Sequence, residues 1–280
     1  MKLKGKKALI TGGTQGFGLA CAKAFLAEGA EVMVCARNIS SAEPLSLSGF
    51  HVMQADVSQI HSVKNLIQAA LDTMGGIDIL ISNAAIHGPK GAFDENDLEA
   101  WSEAIDINLK GSAFLCHEVI PHFKQKKQGK IILLSGGGAT KAMPYFSAYA
   151  ASKAGLVRFG ETLSEELKEF NIDVNMVAPG AMNTRLLDDV LNAGPEKVGE
   201  KYYHQVLKQQ ASGGTSPEIG AALCVFLASA ESQGITGKLM SAVWDPWQEL
   251  SQYKEDLQNS DIYTLRRIIP AERGKTWGDV

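Results

Sequence analysis

Tyr149 and Lys153 stand four residues apart in the stretch LLSGGGATKAMPYFSAYAASK, residues 133 to 153. On a helix that spacing puts both side chains on one face, one turn apart. A phenol beside an ammonium forms an acid–base pair. The phenol can give its proton to a substrate oxygen, and the nearby positive charge favours the phenolate when the proton moves the other way. Thirteen residues before the tyrosine, where a hydroxyl donor would complete the set, the chain has Gly136. Ser135 precedes it and Gly137 and Gly138 follow.

A second chemical signal lies near the N-terminus in TGGTQGFG, Thr11 to Gly18. Glycines 12, 16 and 18 come between an apolar run and a helical pattern. Such a turn permits positive φ and close backbone approach, and the free N–H groups at a helix start suit a pyrophosphate. A bare glycine triplet also fits a turn that binds nothing. Its place in a strand–turn–helix context favours the dinucleotide reading.

The elements that must position these residues alternate along the chain. Apolar runs at 8–11, 32–36, 51–56, 77–82, 130–135, 173–178 and 238–243 predict strands. Helical spacing covers 16–28, 60–74, 147–170 and 217–228, and 94–127 holds two further helices. Strands apolar throughout and separated by helices predict a parallel sheet covered on both faces. The fold class is therefore α/β, a Rossmann-type doubly wound sheet in one domain, residues 1–243, with a C-terminal extension, 244–280.

Composition narrows the function. The chain has 280 residues, 45% hydrophobic and 21% charged, and a net charge of −4 from 27 basic against 31 acidic residues. That balance offers no footprint for nucleic acid or an anionic membrane. The basic cluster Lys124, Lys126, Lys127 and Lys130 reads as a solvated helix end. Four scattered cysteines make no C-x-x-C, and the N-terminus has no apolar leader, so a reducing, cytoplasmic setting is expected. No histidine cluster has metal-ligand spacing.

T-G-x-x-x-G-x-G at 11–18, S-N-A-A at 82–85, D-I-N at 106–108, Y-x-x-x-K at 149–153 and V-A-P-G at 177–180 occur in order. Together they resemble the short-chain dehydrogenase/reductase family over roughly residues 4 to 243. The resemblance implies a nicotinamide cofactor, a small-molecule carbonyl or alcohol substrate, and a homodimer or homotetramer. It places Gly12, Thr14, Gln15, Gly16, Phe17 and Gly18 at the pyrophosphate turn. Asp56 and Val57 would lie by the adenine, Asn83 and Ala84 near the adenosine ribose, and Lys153 on the nicotinamide ribose. Pro179, Gly180 and Thr184 would flank the nicotinamide end. Tyr149 would exchange a proton with the substrate oxygen during hydride transfer. Lys153 would lower the tyrosine's pKa, and Asn108 would hold a water linking Lys153 to solvent.

The cofactor turns on the end of the second strand, Cys35-Ala36-Arg37-Asn38. NAD-binding chains tend to end that strand in a carboxylate for the ribose hydroxyls. Here Ala36 stands at that place, and the Arg37 fork suits a 2′-phosphate. NADP is favoured, with NAD the alternative.

Gly136 marks a modified catalyst. Ser135 faces the other side of a regular strand, so it reaches the substrate only if the strand end bulges. Glycines 136 to 138 make that rearrangement plausible and keep Ser135 among the candidate catalytic groups with Asn108, Tyr149 and Lys153. Thr140 or Ser147 offers another hydroxyl. On a regular strand, a serine at 136 is expected to help a small test ketone and obstruct the natural substrate.

Other segments depart from the family pattern. The stretch 38–50 leaves little room for the usual helix. Arg185 to Gly214, with Tyr202, Tyr203 and His204, is expected to form a mobile lid. His87 and Lys90 follow the fourth strand and either approach the same cleft or carry ordinary loop charge, the latter being the safer reading. The aromatic extension, with Trp244, Trp247, Tyr253, Tyr263 and Trp277, is expected to pack on its own or a neighbouring subunit. Arg266 or Arg267 would suit an anionic substrate if presented at the cleft, although an ordinary salt bridge to acidic neighbours or a subunit contact is favoured over it. The expected activity is interconversion of a ketone and a secondary alcohol. Transient oxidation within an epimerisation, or a cofactor-binding sensor with weakened catalysis, are the alternatives.

Overall fold

Strands come first, because runs such as Ala8–Leu9–Ile10 and Val32–Met33–Val34 are apolar on both faces and can be satisfied only inside a covered sheet. The computed structural model describes residues 1–39 and 48–277. Seven strands form one parallel sheet in the order β3-β2-β1-β4-β5-β6-β7. They are β1 (Lys7–Thr11), β2 (Glu31–Ala36), β3 (Phe50–Gln54), β4 (Ile79–Ser82), β5 (Gly129–Leu134), β6 (Ile172–Ala178) and β7 (Leu239–Ser241). All seven fall on the apolar runs, with ends moved by a few residues. The third stops at Gln54, so Asp56 lies in the following turn, its Oδ1 accepting from the backbone N and Oγ of Ser58.

The helices are α1 (Gly16–Ala27), α2 (Ile60–Met74), α3 (Leu98–Ile105), α4 (Gly111–Lys126), α5 (Ser147–Leu167), α6 (Arg185–Ala193), α7 (Pro195–Val198), α8 (Glu200–Ser212), α9 (Pro217–Ala228) and α10 (Lys254–Gln258). Alternation along each strand feeds two cores. Ala8, Ile10, Val32 and Val34 join Phe25 of α1 and Phe226 of α9 on one face. Leu9, Met33 and Cys35 join Leu66 of α2, Phe123 of α4 and Leu156 of α5 on the other. The expected pair of helices over 94–127 is nearly continuous: a π-helical turn, Asp106–Lys110, joins α3 to α4.

Strand order reverses between β1 and β4, which opens a crevice at the carboxyl ends of the strands. Everything expected to do chemistry is carried on the loops and helix starts at that end. The expected lack of a helix within 38–50 lies mostly outside the described residues. Among the described residues no helix is long and apolar enough to cross a membrane.

Part of the extension packs on its own chain, while Trp244 and Trp277, also expected to pack, stay exposed. Trp247 is buried against Phe226 with ring centroids 6.0 Å apart, and its indole N–H donates to Ala242 O at 3.1 Å. Leu250 and Leu257 enter the same core. Further on, Leu239 N–H of β7 donates to Tyr263 O at 2.7 Å, and Leu265 N–H donates to Glu161 Oε1 at 2.6 Å. Arg266 bridges Asp261 at 2.6 Å and Glu272 at 2.5 Å. The cleft opening is lined by neither Arg266 nor Arg267, so the arginine route to an anionic substrate is corrected to an ordinary ion-pair cluster.

Candidate active site

A single cleft of about 2060 Å³ runs across the carboxyl ends of the strands. Single-ligand pockets hold roughly 300–1,000 Å³, so this cleft has room for two occupants. At one end lies the turn between β1 and α1, where Gly12, Thr14, Gln15, Gly16, Phe17 and Gly18 all line the opening. Gln15 precedes α1 without a side-chain cap, and the first turn carries no acidic residue. Its N–H groups are therefore left for a ligand. Gly16 has φ +53°, and a Cβ there would meet only the Thr184 side chain, 3.8 Å away across the cleft. Gly18 tolerates no side chain, since a Cβ would stand 2.3 Å from Gly12 O. These features fit a dinucleotide pyrophosphate.

Thr11 and Asn83 hold this turn. Thr11 Oγ1 accepts from the backbone N–H groups of Asn83 and Ala84 at 3.0 and 3.1 Å. Asn83 Nδ2 donates back to Thr11 O and Gly12 O at 2.8 and 3.2 Å. Thr11 opens the T-G-x-x-x-G-x-G motif, but its role in holding the turn to the loop after β4 was not expected from the sequence. Arg37, Asp56, Val57, Asn83 and Ala84 line the same end, and Pro179, Gly180 and Thr184 line the middle. Arg37 Nη1 pairs with Glu103 Oε1 at 3.2 Å, both half exposed.

Tyr149 and Lys153 project from α5 into the cleft floor, both buried. Lys153 Nζ donates to Leu134 O at 2.6 Å and sits 5.6 Å from the Tyr149 ring centroid. Burial pulls the Lys153 ammonium down to about 8. Burial, with a smaller contribution from Tyr202, pushes the Tyr149 phenol up to about 12. In the chain by itself, burial dominates both shifts. Each group is removed from water, and desolvation disfavours the charged form of both. The phenol is held as a protonated acid.

Gly136 is extended, with φ −168°, and the ladder stays regular up to Ser135, whose N–H donates to Val177 O at 2.8 Å, before the chain enters a 3-10 turn at Gly137–Ala139. No bulge forms at this strand end. A Cβ on Gly136 would lie 2.3 Å from Tyr149 Oη, so the phenol occupies the space a side chain would need. Ser135 also lines the cleft, and its buried hydroxyl has no hydrogen-bond partner. The bulge that would have brought Ser135 to the substrate is corrected. So is the expectation for a serine at 136, which meets the phenol and not an open substrate site. Ser147 Oγ accepts from Trp101 Nε1 at 3.0 Å, while Thr140 lines the cleft.

Asn108, on the π-helical turn, is buried behind the cleft wall. Its Nδ2 donates to Ile86 O at 2.8 Å and Ser152 Oγ at 2.9 Å, and its Oδ1 accepts from Ile86 N–H at 2.9 Å. Both side-chain donors are taken, so the side chain braces the loop after β4 and the start of α5. His87, read from the sequence as loop charge, is buried in the cleft wall instead. Burial, with Lys90 and Lys153 nearby, holds its pKa down to about 3, so the ring is neutral. Its place beside Tyr149 is a product of tertiary packing and has no local sequence signal. Helices α6 to α8 cover the substrate end with an apolar surface of Leu187, Val190, Val198, Tyr202 and Val206. Tyr203 and His204, expected with Tyr202, do not line the cleft, and His204 pairs with Glu200 at 3.4 Å.

Comparison with known proteins agrees with this layout. The family model for short chain dehydrogenase matches residues 6–193. The chain is 35% identical over 243 residues to 3beta-hydroxysteroid dehydrogenase 1 of Eggerthella lenta, covering 84% of this chain and 91% of that protein. It is 33% identical over 245 residues to Dehydrogenase/reductase SDR family member 4 of Homo sapiens, covering 84% and 85%. To D-beta-hydroxybutyrate dehydrogenase of Cupriavidus necator it is 32% identical over 257 residues, covering 87% and 96%. The chain belongs to the short-chain dehydrogenase/reductase family. It is an oxidoreductase of that type, acting on hydroxyl or keto groups of small molecules, in a family that uses nicotinamide cofactors. The alternative of a sensor without turnover is set aside by these relatives.

Proposed function

We propose that the protein is an NADP(H)-dependent oxidoreductase interconverting a ketone and a secondary alcohol, with Tyr149 as the acid–base group. The observation that carries this reading is the buried Tyr149 phenol beside Lys153, on the floor of the cleft that ends at the glycine-rich turn. The first turn of α1 would hold the pyrophosphate, Arg37 the 2′-phosphate, and Asp56 and Val57 the adenine. Asn83 and Ala84 would border the adenosine ribose, Lys153 would hold the nicotinamide ribose, and Pro179, Gly180 and Thr184 would bound the nicotinamide. Bound nicotinamide supplies or accepts the hydride. The chain's own part is to keep a proton on Tyr149 Oη, deliver it to the substrate oxygen, and exclude water beneath α6 to α8.

The apolar surface under α6 to α8 suits a substrate with a hydrocarbon body, and the relative named for a steroid points the same way. A panel of apolar cyclic and open-chain ketones with NADPH tests the reading. Wild type should reduce at least one member, and Tyr149→Phe should lose turnover while NADPH affinity stays close to wild type. Substantial activity in Tyr149→Phe rejects the mechanism. Net cofactor turnover in the same assay separates a reductase from an epimerase.

A further inference from the structure

Gly136 brings no side-chain donor to the substrate oxygen, since the phenol fills the space one would need, and the Ser135 hydroxyl at the preceding position is buried without a partner. One other buried polar side chain beside Tyr149 lacks a partner. His87 lines the cleft at 8% exposure, and its Nδ1 is enclosed with no hydrogen-bond partner. A buried unpaired ring nitrogen costs roughly 1–3 kcal/mol, so such a group is worth explaining.

The ring is held firmly. It stands edge-on to Tyr149 with centroids 4.8 Å apart, and edge-on to Phe146 at 5.4 Å. Its loop is fixed one residue earlier, where Ile86 gives and receives hydrogen bonds with Asn108. A neutral imidazole carries one donor and one acceptor nitrogen, which matches a hydroxyl or keto oxygen. We propose that His87 contacts the substrate directly, hydrogen-bonding at or beside the carbon–oxygen group that Tyr149 serves, and so provides the second polar contact missing at Gly136. This rests on the ketone–alcohol reading above. It makes His87 a specificity-determining residue: substrates with an oxygen facing this wall are preferred over their hydrocarbon counterparts.

The test compares His87→Phe, His87→Leu and His87→Gln with wild type and Tyr149→Phe, using NADPH and the best ketone of the panel. Binding of NADPH is measured separately. The expected result is a loss in kcat/KM on the order of 10²-fold for Phe and Leu, with unchanged NADPH affinity. Gln, which retains a donor and an acceptor, should recover most of the loss. Equal losses in Gln, Phe and Leu mean that the ring only packs against Tyr149, and overturn the proposal. Wild-type kcat/KM in Phe or Leu overturns it too, provided Tyr149→Phe is inactive. Should Phe misfold, the Leu–Gln comparison decides by the same criterion. If both apolar variants misfold, the ring's role is packing and the proposal falls. Activity surviving in Tyr149→Phe, or no activity of wild type on any ketone, rejects the underlying reading instead.

Discussion

Replacing Gly136 by alanine should damage the chemistry while sparing the fold. At 136 the backbone is extended, a conformation any residue adopts, so no conformational penalty accompanies the change. The added Cβ would instead lie 2.3 Å from Tyr149 Oη and 3.1 Å from Cζ. Non-bonded contacts relax at roughly 3.5–4.0 Å, so the phenol oxygen must retreat by about 1 Å or more. A displacement of that size at a reacting group costs about 10²-fold, which is about 2.7 kcal/mol of barrier. The assay is kcat/KM for ketone reduction, followed by loss of reduced-nicotinamide absorbance, alongside NADPH affinity and a urea unfolding curve. Expected are a drop of about 10²-fold in kcat/KM, unchanged cofactor binding, and a stability change within about 1 kcal/mol. Gly136→Ser should behave like alanine, its hydroxyl gaining nothing because the phenol has been pushed aside. Wild-type kcat/KM in the alanine variant, or a gain in the serine variant, would refute the claim that Tyr149 fills this space.

Three further outcomes follow from other parts of the cleft and core. NADPH should bind more tightly than NADH, and Arg37→Ala should narrow the gap by roughly 1–3 kcal/mol; equal wild-type affinities by fluorescence titration would reject Arg37 as the phosphate contact. Burial holds Lys153 at about 8, below the usual lysine value near 10.4, so between those pH values the unfolded chain binds more protons than the folded one. Stability contributed here therefore rises with pH across that window. Lys153→Met should remove that slope, and a wild-type-minus-variant difference in unfolding free energy that stays flat from about pH 7 to 10 would contradict the assignment. Trp247→Ala should cost about 3–5 kcal/mol, because the indole is buried on Phe226; a loss below about 1 kcal/mol by urea unfolding would mean that the extension is not part of the core.

The sheet was legible because parallel strands buried on both faces read as near-continuous apolar runs, as 79–81 and 131–134 do. Helix α2 was legible from its amphipathic spacing, and its limits coincide with the expected 60–74. Details that depend on contacts between distant segments were not. His87 has no local signal of burial, because the walls that enclose it come from Phe146 and Tyr149 on another element. The burial of Tyr149 was hidden for a related reason. Counting charges along a helix face shows Lys153 but not the desolvation that acts on both groups. Arg266 and Arg267 looked available because Asp261 and Glu272, which hold Arg266, are ordinary surface residues in the sequence.

The π-helical turn ties these observations together. A helix running unbroken from Leu98 to Lys126 would set every side chain on a 3.6-residue repeat. The widened turn at 106–110 departs from that repeat and marks a spot where helices often carry function. Here the turn carries Asn108, whose amide reaches Ile86 on one side and Ser152 on the other. Ile86 precedes His87 and Ser152 precedes Lys153, while Ser152 Oγ also donates to Tyr149 O at 2.8 Å. One buried amide thus sets the distance between the loop after β4 and the first turns of α5. Buried and fully paired, it has no cheap alternative arrangement, since moving either segment would strand a polar group in the core. The imidazole, the phenol and the ammonium are therefore held by a shared brace before any substrate arrives. Preorganisation of this kind lets the polar groups of the site act without first being ordered.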